Sequence, residues 1–157
     1  MTDDEKYMKQ ALKEATKAES MDEVPIGCVI VKDGKIISRG YNTREKDNQT
    51  IGHAEINAIR KASKKLSSWR LCDCDIYVTL EPCPMCAGAI YQSRFRRVIY
   101  GAEDLKQGAL GGAFNLYDVS SLNHHPEVTR DVLKDECSSL ISSYFKKKRN
   151  KWLFRWK

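Results

Sequence analysis

The chain has 157 residues and a mass of 18.0 kDa, enough for one domain with a sizeable core. Hydrophobic residues make up 41% and charged residues 31% of the sequence, the balance of a soluble globular protein. No apolar run approaches the roughly 18 residues that span a bilayer. The acidic, amphipathic start MTDDEKYMKQ also differs from a signal peptide, so we expect a cytoplasmic protein with no membrane segment.

The positive charge is concentrated at the C-terminus. Seven Lys and Arg residues lie within 146–157, and because the whole chain carries +6, residues 1–145 carry a net charge of −1. Three aromatic residues, Trp152, Phe154 and Trp156, interleave with these cations. This pattern favours a polyanionic partner whose bases stack on aromatic rings, and a solvated terminus is the alternative. We predict a domain over residues 1–150 followed by a short basic, aromatic tail over 151–157.

The first 41 residues predict a helix followed by a hairpin. Thr2-Asp3-Asp4-Glu5 matches a capping box at the start of the helix. Two β-rich runs, IGCVIV and KIISRGY, are joined at Asp33-Gly34, a dipeptide favoured in tight hairpins. The helix is predicted from apolar residues at helical spacing: Met8, Ala11, Leu12, Ala15 and Ala18.

The middle of the chain alternates between helix and strand patterns. A polar stretch over 42–52 precedes a helix that begins at His53. A Gly-rich loop over 108–112 precedes an irregular segment. The remaining predicted elements are a strand over 75–80, a helix over 83–93, a strand over 97–102, a short strand over 127–129 and a final helix that carries Leu133, Cys137, Leu140, Ile141 and Tyr144.

Alternating strands and helices imply right-handed crossovers and parallel pairing, and the hairpin adds an antiparallel edge. The predicted fold class is therefore α/β, a three-layer α/β/α sandwich around a mixed five-stranded sheet. Such sheets place their sites at the C-terminal ends of strands and the N-termini of helices. His53-Ala54-Glu55 and Cys83 both lie at junctions of this kind.

Cys83 and Cys86 are spaced so that both sulfur atoms leave one face of the first turn of a helix. The positive end of the helix favours thiolates, which are zinc ligands. His53 could be a third ligand, and a site with two thiolates, one imidazole and an open position is typical of catalytic zinc. Glu55 would then be free to move protons beside the metal.

Other interpretations remain open at this point. Cys72 and Cys74 could complete a closed four-cysteine zinc knot, although that would leave His53 and Glu55 without a role. The C-x-x-C pair could also be a redox couple, and a single histidine on a helix is often structural.

The combination of His53-Ala54-Glu55 with Pro82-Cys83-Pro84-Met85-Cys86 resembles the zinc-dependent nucleobase deaminases of the cytidine/deoxycytidylate deaminase superfamily. Over nearly its whole length the chain is similar to the bacterial tRNA-specific adenosine deaminases. The stretches that carry this similarity include EVPIGCVIV, GHAEINAI, YVTLEPCPMCAGAI and SRFRRVIYGAEDLKQGALGG.

The resemblance implies a cytidine-deaminase-like fold and hydrolytic conversion of a wobble adenosine in a tRNA anticodon loop to inosine, with release of ammonia. It implies a homodimer with one Zn²⁺ per subunit, bound by His53, Cys83 and Cys86, and it makes Glu55 the proton shuttle. Asn42 would contact the flipped base. The other implied substrate-binding residues are Ala54, Arg44, Lys106, Asn123, His124, Phe145 and Arg149.

Two features limit the resemblance. Family members commonly have Asp-Pro-Thr-Ala where this chain has Gln49-Thr50-Ile51-Gly52, which alters the expected pocket rim. The motif is also similar to that of guanine deaminases, so a free-base or nucleotide deaminase acting on guanine or cytosine derivatives is the alternative function. Those enzymes usually have Ser-Cys in place of Thr79-Leu80 and lack a comparable basic tail. A nucleic-acid-binding protein with purely structural zinc is the alternative from another class, and Glu55 argues against it.

Overall fold

A computed structural model of the chain describes residues 1–155, with side chains through residue 151. Its centre is a mixed sheet with the strand order β2-β1-β3-β4-β5. β1 pairs antiparallel with β2 and with β3, whereas β3, β4 and β5 are parallel. The predicted five-stranded mixed sheet is confirmed. The strands are β1 (Gly27–Lys32), β2 (Lys35–Tyr41), β3 (Cys74–Leu80), β4 (Arg97–Ala102) and β5 (Glu127–Thr129).

Helices cover both faces of this sheet. The first begins at the predicted capping box, because the Thr2 hydroxyl accepts from the Glu5 N–H while the Glu5 carboxylate accepts from the Thr2 N–H. The helices are α1 (Asp3–Ser20), α2 (Arg44–Asp47), α3 (Ala54–Leu66), α4 (Pro84–Gln92) and α5 (Lys134–Arg155), with one 3₁₀ turn at Leu116–Asp118. The one-turn helix α2 lies in the stretch that the sequence presented only as polar.

Alternate side chains of β1 enter two separate cores on opposite faces of the sheet, which makes the molecule a three-layer sandwich. Cys28 and Ile30 of β1 pack with α3 and α4 on one face of the sheet. Val29 and Val31 pack with α1 and α5 on the other face, in a core that includes Met8. The predicted α/β/α layering is therefore confirmed.

The last helix continues past the predicted domain boundary at residue 150 and reaches Arg155. It is fixed to the α1–β1 turn through Asp22, whose carbonyl accepts from the Tyr144 hydroxyl and whose carboxylate pairs with Lys148 at 3.1 Å. The side chains of Trp152, Phe154 and Trp156, predicted to contact RNA, lie outside the described residues. Among the helices in residues 1–155, none has the length and apolar character needed to cross a membrane.

Candidate active site

Two helix N-termini meet at one end of the sheet and carry the predicted metal ligands. His53 is the N-cap of α3 and Cys83 is the N-cap of α4, and neither side chain caps its own helix. Pro84 occupies the first turn of α4, where a missing N–H costs nothing. His53 is thereby brought beside Cys83, although the two residues lie 30 positions apart in the chain.

The ligand atoms have the geometry of a tetrahedral zinc site. His53 Nδ1 lies 3.7 Å from Cys83 Sγ and 3.5 Å from Cys86 Sγ. All three ligand atoms lie within 4.8 Å of one another. With Zn–S near 2.3 Å and Zn–N near 2.05 Å, the S···N edge of a tetrahedron is about 3.6 Å. The two observed distances therefore fit a zinc ion, and three ligands leave one position open.

The electrostatics of the cluster favour a thiolate at Cys83. A hydrogen bond from the Cys86 thiol, together with one from His53, lowers the pKa of Cys83 to about 4. The same hydrogen bond to Cys83, together with burial, raises the pKa of Cys86, so without metal the pair retains one proton on the inner sulfur. The Cys83 contact raises the pKa of His53. Because this set combines a thiolate, a second cysteine sulfur and an imidazole, it suits a borderline-soft cation such as zinc.

Glu55 lies on the first turn of α3, two residues after His53, and is buried with 4% of its surface exposed. Burial raises its pKa to about 7, and its carboxylate interacts with the thiol of Cys86. A carboxyl group whose pKa is near neutrality can both accept and return a proton at that pH. Its placement beside the cysteine ligands fits the predicted role as proton shuttle.

A cleft of about 800 Å³ opens above these residues. Its floor includes His53, Ala54, Glu55 and Cys83, whereas Cys86 is fully buried beneath them. The walls come from the α1–β1 turn, the segment around α2, the end of β3, the end of β4 with its following loop, and one face of α5. The wall residues are Val24, Ile26, Asn42, Arg44, Leu80, Glu81, Ala102, Glu103, Asp104, Leu105, Lys106, Gln107, Ser138, Ile141, Ser142, Phe145 and Arg149.

The predicted base-binding residue Asn42 lies at the edge of this cleft and is 6% exposed. Its side-chain oxygen accepts from the Arg44 N–H at 3.0 Å, and its amide donates to the Val24 carbonyl at 3.3 Å. An amide has further donor and acceptor capacity beyond these two bonds. Asn42 is therefore both a turn residue and a wall of the cleft.

Two predicted RNA contacts, Asn123 and His124, do not line the cleft. The His124 ring donates from Nε2 to the Phe95 carbonyl at 2.7 Å, and the Asn123 N–H donates to the Tyr91 hydroxyl. These two hydrogen bonds hold the loop of Asn123 and His124 against the end of α4. Their predicted contact with the anticodon loop stays a prediction, and it would have to be made outside the cleft.

Sequence reasoning missed one set of cleft residues and one buried residue, Glu23, that supports a wall of the cleft. Ser138, Ile141 and Ser142 precede Phe145 and Arg149 on one face of α5, and this helical spacing was a usable signal. Glu23 is 2% exposed, and its two carboxylate oxygens accept from the Glu45 and Lys46 N–H groups at 3.0 and 2.7 Å. It holds the loop that carries Asn42 and Arg44, and only its long-range contacts reveal this function.

The four-cysteine knot is not formed. Cys72 is exposed and Cys74 is buried at the start of β3, and within the described part of the chain the metal-type cluster comprises only His53, Cys83 and Cys86. We expect the double variant Cys72→Ser/Cys74→Ser to bind as much zinc as the unaltered protein, as measured by metal analysis. A loss of zinc in that variant would instead support the four-cysteine zinc knot.

The geometry of the site defines the class of protein. One imidazole and two sulfur ligands beside a buried carboxylate, at the helix N-termini of a three-layer sandwich, form the site of a zinc-type nucleobase deaminase.

Comparison with known proteins narrows this class to a family. The MafB19-like deaminase family model matches residues 2–149. The tRNA-specific adenosine deaminase of Bacillus subtilis is 50% identical over 151 residues, covering 96% of this chain and 94% of the relative. The chain belongs to the MafB19-like deaminase family and to the tRNA-specific adenosine deaminases.

Solved structures agree with this assignment. A structure from a study of tRNA:A34 deaminases and A-to-I editing at the wobble position superimposes with a TM-score of 0.80 and 42% identity, covering 85% of this chain and 96% of that one. A guanine deaminase from Nitrosomonas europaea has a TM-score of 0.77 at 24% identity, covering 89% of this chain and 83% of that one. The second similarity concerns the fold alone.

Proposed function

We propose that the protein hydrolyses the wobble adenosine, position 34, of a tRNA anticodon loop to inosine and releases ammonia. The observation that carries this proposal is the donor set of His53, Cys83 and Cys86 beside buried Glu55, at the floor of a wide cleft. The names of the relatives support tRNA as the substrate.

Zinc fits the donor set, with one ion per subunit held by His53, Cys83 and Cys86. When bound, it supplies a water molecule whose pKa is lowered to about 7. The protein's own residues then control the protons. The Glu55 carboxylate takes a proton from the water that adds to C6 of adenine and delivers it to N1. It afterwards moves the remaining proton of the added hydroxyl to the departing amino group, so that the C6–N bond breaks, a C6=O bond forms, and ammonia leaves with one water consumed.

The cleft accommodates more than a single base. Ala54 forms part of the floor and Asn42 lies at its edge, where a base flipped out of its stack would enter. Leu80 also faces this space, whereas the Thr79 hydroxyl is buried and accepts from the Gly27 N–H. The base therefore binds next to Glu55, and the rest of the RNA loop contacts the outer walls of the cleft.

The outer walls carry cations and an aromatic ring suited to RNA. Arg44, Lys106 and Arg149 are exposed around the mouth of the cleft, and Phe145 is 43% exposed on α5. Guanidinium and ammonium groups neutralise phosphates, and an exposed ring offers a stacking surface.

We expect Arg149→Ala to weaken binding of an anticodon hairpin and to lower the slope of log K against log salt concentration by about 0.7 to 1, because one phosphate contact is lost. Fluorescence anisotropy at several salt concentrations measures this. Lys13→Ala removes one exposed cation from α1, away from the cleft, and is the matched control. An equal loss of affinity in both variants would mean that net charge, and not a contact in the cleft, determines the effect.

The decisive assay compares substrates. The zinc-loaded protein is incubated with tRNA that has adenosine at the wobble position and, in parallel, with adenosine, guanine and cytidine. We expect inosine in the tRNA and slow or no turnover of the small molecules. Deamination of a free base or nucleoside with unchanged tRNA would overturn the proposal in favour of a free-base or nucleotide deaminase.

We further propose that the protein acts as a homodimer in the cytoplasm, where its tRNA substrate is found. The family resemblance of the sequence implies the dimer, and a tRNA substrate, which the relatives support, accords with the cytoplasm. Light scattering should give about twice the chain mass of 18.0 kDa. A mass of one chain at working concentration would contradict the dimer.

A further inference from the structure

A second carboxylate, Glu81, lies next to the zinc ligands and has no role in the chemistry described above. It directly follows β3, is separated from Cys83 only by Pro82, and is 2% exposed. None of the ion pairs in the described part of the chain includes it. A buried carboxylate without a cation is retained only where hydrogen bonds stabilise its charge.

Three backbone N–H groups of the loop after β4 provide those hydrogen bonds. Oε1 of Glu81 accepts from the Asp104 N–H at 3.0 Å. Oε2 accepts from the Leu110 N–H at 2.9 Å and the Gly112 N–H at 2.8 Å. The Pro82 carbonyl accepts from the Ala109 N–H of the same loop at 2.9 Å. The segment that carries Cys83 is thus joined to both ends of the loop.

The loop is shaped to receive this carboxylate. A Cβ atom at Gly108 or Gly112 would overlap the Glu81 carboxylate and the Asp104 carbonyl, so glycine is required at both positions. Asp104 continues the chain of contacts, because its carboxylate accepts from the Lys106 and Gln107 N–H groups at 3.0 and 3.1 Å. The position of Glu81 therefore determines that of the turn at 104–107.

That turn forms one wall of the cleft and faces the expected path of the RNA. It contributes exposed residues, among them Lys106 and Leu105, which is 74% exposed. None of its side chains belongs to the metal cluster. The turn is therefore suited to contact nucleotides beside the reacting one, whereas Glu55 and the zinc ligands act on the base itself.

We propose that Glu81 is a positioning residue that couples the Cys83 segment to the 104–107 turn and thereby sets the affinity for the RNA loop. The inference deepens the proposed function and rests on it. The cleft then has two separate tasks. A base can react at the floor without the turn, whereas binding of an RNA loop requires the turn at a fixed distance from the zinc ligands.

Glu81→Gln tests this coupling with almost no change in shape. An amide keeps one acceptor oxygen and replaces the other with an NH₂ donor, which must then face a backbone N–H. Either the Asp104 bond or the Leu110 and Gly112 bonds are lost. We expect KM for an RNA hairpin with adenosine at the wobble position to rise about tenfold or more, while kcat changes by less than about threefold.

Two further readouts separate positioning from a general loss of stability. Zinc content should remain one ion per subunit, and the amides of Asp104, Leu110 and Gly112 should exchange with solvent about tenfold faster. Glu14→Gln alters another carboxylate that is 2% exposed, but on α1, away from the cleft, and should leave KM unchanged. Gly112→Ala displaces Glu81 by overlap rather than by altered chemistry and should raise KM in the same way.

Each contrary outcome has a distinct meaning. If the unaltered protein does not deaminate the hairpin, the proposed function fails. If the unaltered protein is active but Glu81→Gln has an unchanged KM, the role of Glu81 is overturned. A parallel loss of zinc and kcat would also overturn it, because Glu81 would then support the metal ligands rather than the RNA-binding turn.

Discussion

Glu55→Ala is expected to retain one zinc ion per subunit and to form no detectable inosine. A single positioned acid–base group typically contributes about 10² to 10⁴ to a rate, and Glu55 serves successive proton transfers, so we expect a loss beyond about 10⁴-fold. Metal analysis and a tRNA deamination assay measure the two quantities. Inosine formation at near the original rate would remove Glu55 from the mechanism.

The isosteric variant Glu55→Gln sharpens this experiment. The amide keeps the size of the side chain but cannot carry a proton between water, N1 and the leaving amine. Because a buried carboxylate whose pKa is raised by burial costs free energy of folding, the melting temperature should stay the same or rise. Lost activity with unchanged zinc, unchanged RNA affinity and undiminished stability would identify Glu55 as a catalytic group rather than a structural one.

Loss of a thiolate should have an effect of similar size through the metal. We expect Cys86→Ser to lower zinc content from one ion to about 0.1 or less per subunit, because a hydroxyl is a far poorer zinc ligand than a thiolate. Inosine formation should fall with it. A bound ion at 100 times its dissociation constant contributes about 2.7 kcal/mol, so chelation should lower the melting temperature by about 5–10 °C.

Cys137→Ala is the matched control for this prediction. Cys137 is also buried, 1% exposed, but it lies in the core between the sheet and α5 and outside the metal cluster. Its replacement should reduce stability modestly through a small cavity and leave zinc content unchanged. Equal zinc loss in the two cysteine variants would mean that folding, not ligation, explains the result.

The metal ligands could be predicted from the sequence because they occur in short local motifs. Cys83 and Cys86 share one helical turn, and His53 and Glu55 open another helix, so each pair is visible in a few residues. The sheet was predictable for the same reason, since Asp33-Gly34 marks the hairpin and the alternation of strand and helix implies parallel pairing. The contact between Cys83 and His53, which lie 30 residues apart, was inferred from zinc chemistry and from the family resemblance.

What the sequence did not reveal depends on distant partners. The N–H groups bound by Glu81 lie 23 to 31 positions away, and no local pattern signals them. The continuation of α5 was missed because a run of lysines resembles a solvated tail, although Lys and Arg form helices well and no Gly or Pro ends the run. His124 was assigned to RNA by resemblance, and its position against the Phe95 carbonyl became apparent only in three dimensions.

The separation of His53 and Cys83 has a consequence for the unfolded chain. A metal bridge between them closes a loop of 30 residues, as a disulfide would. By the chain-entropy relation for cross-links, a closure of that length removes roughly 3–4 kcal/mol of conformational entropy from the denatured ensemble. The ligation that prepares the deaminase for chemistry would therefore also act as a cross-link between the two helix starts, in a protein whose six cysteines are all free of disulfides.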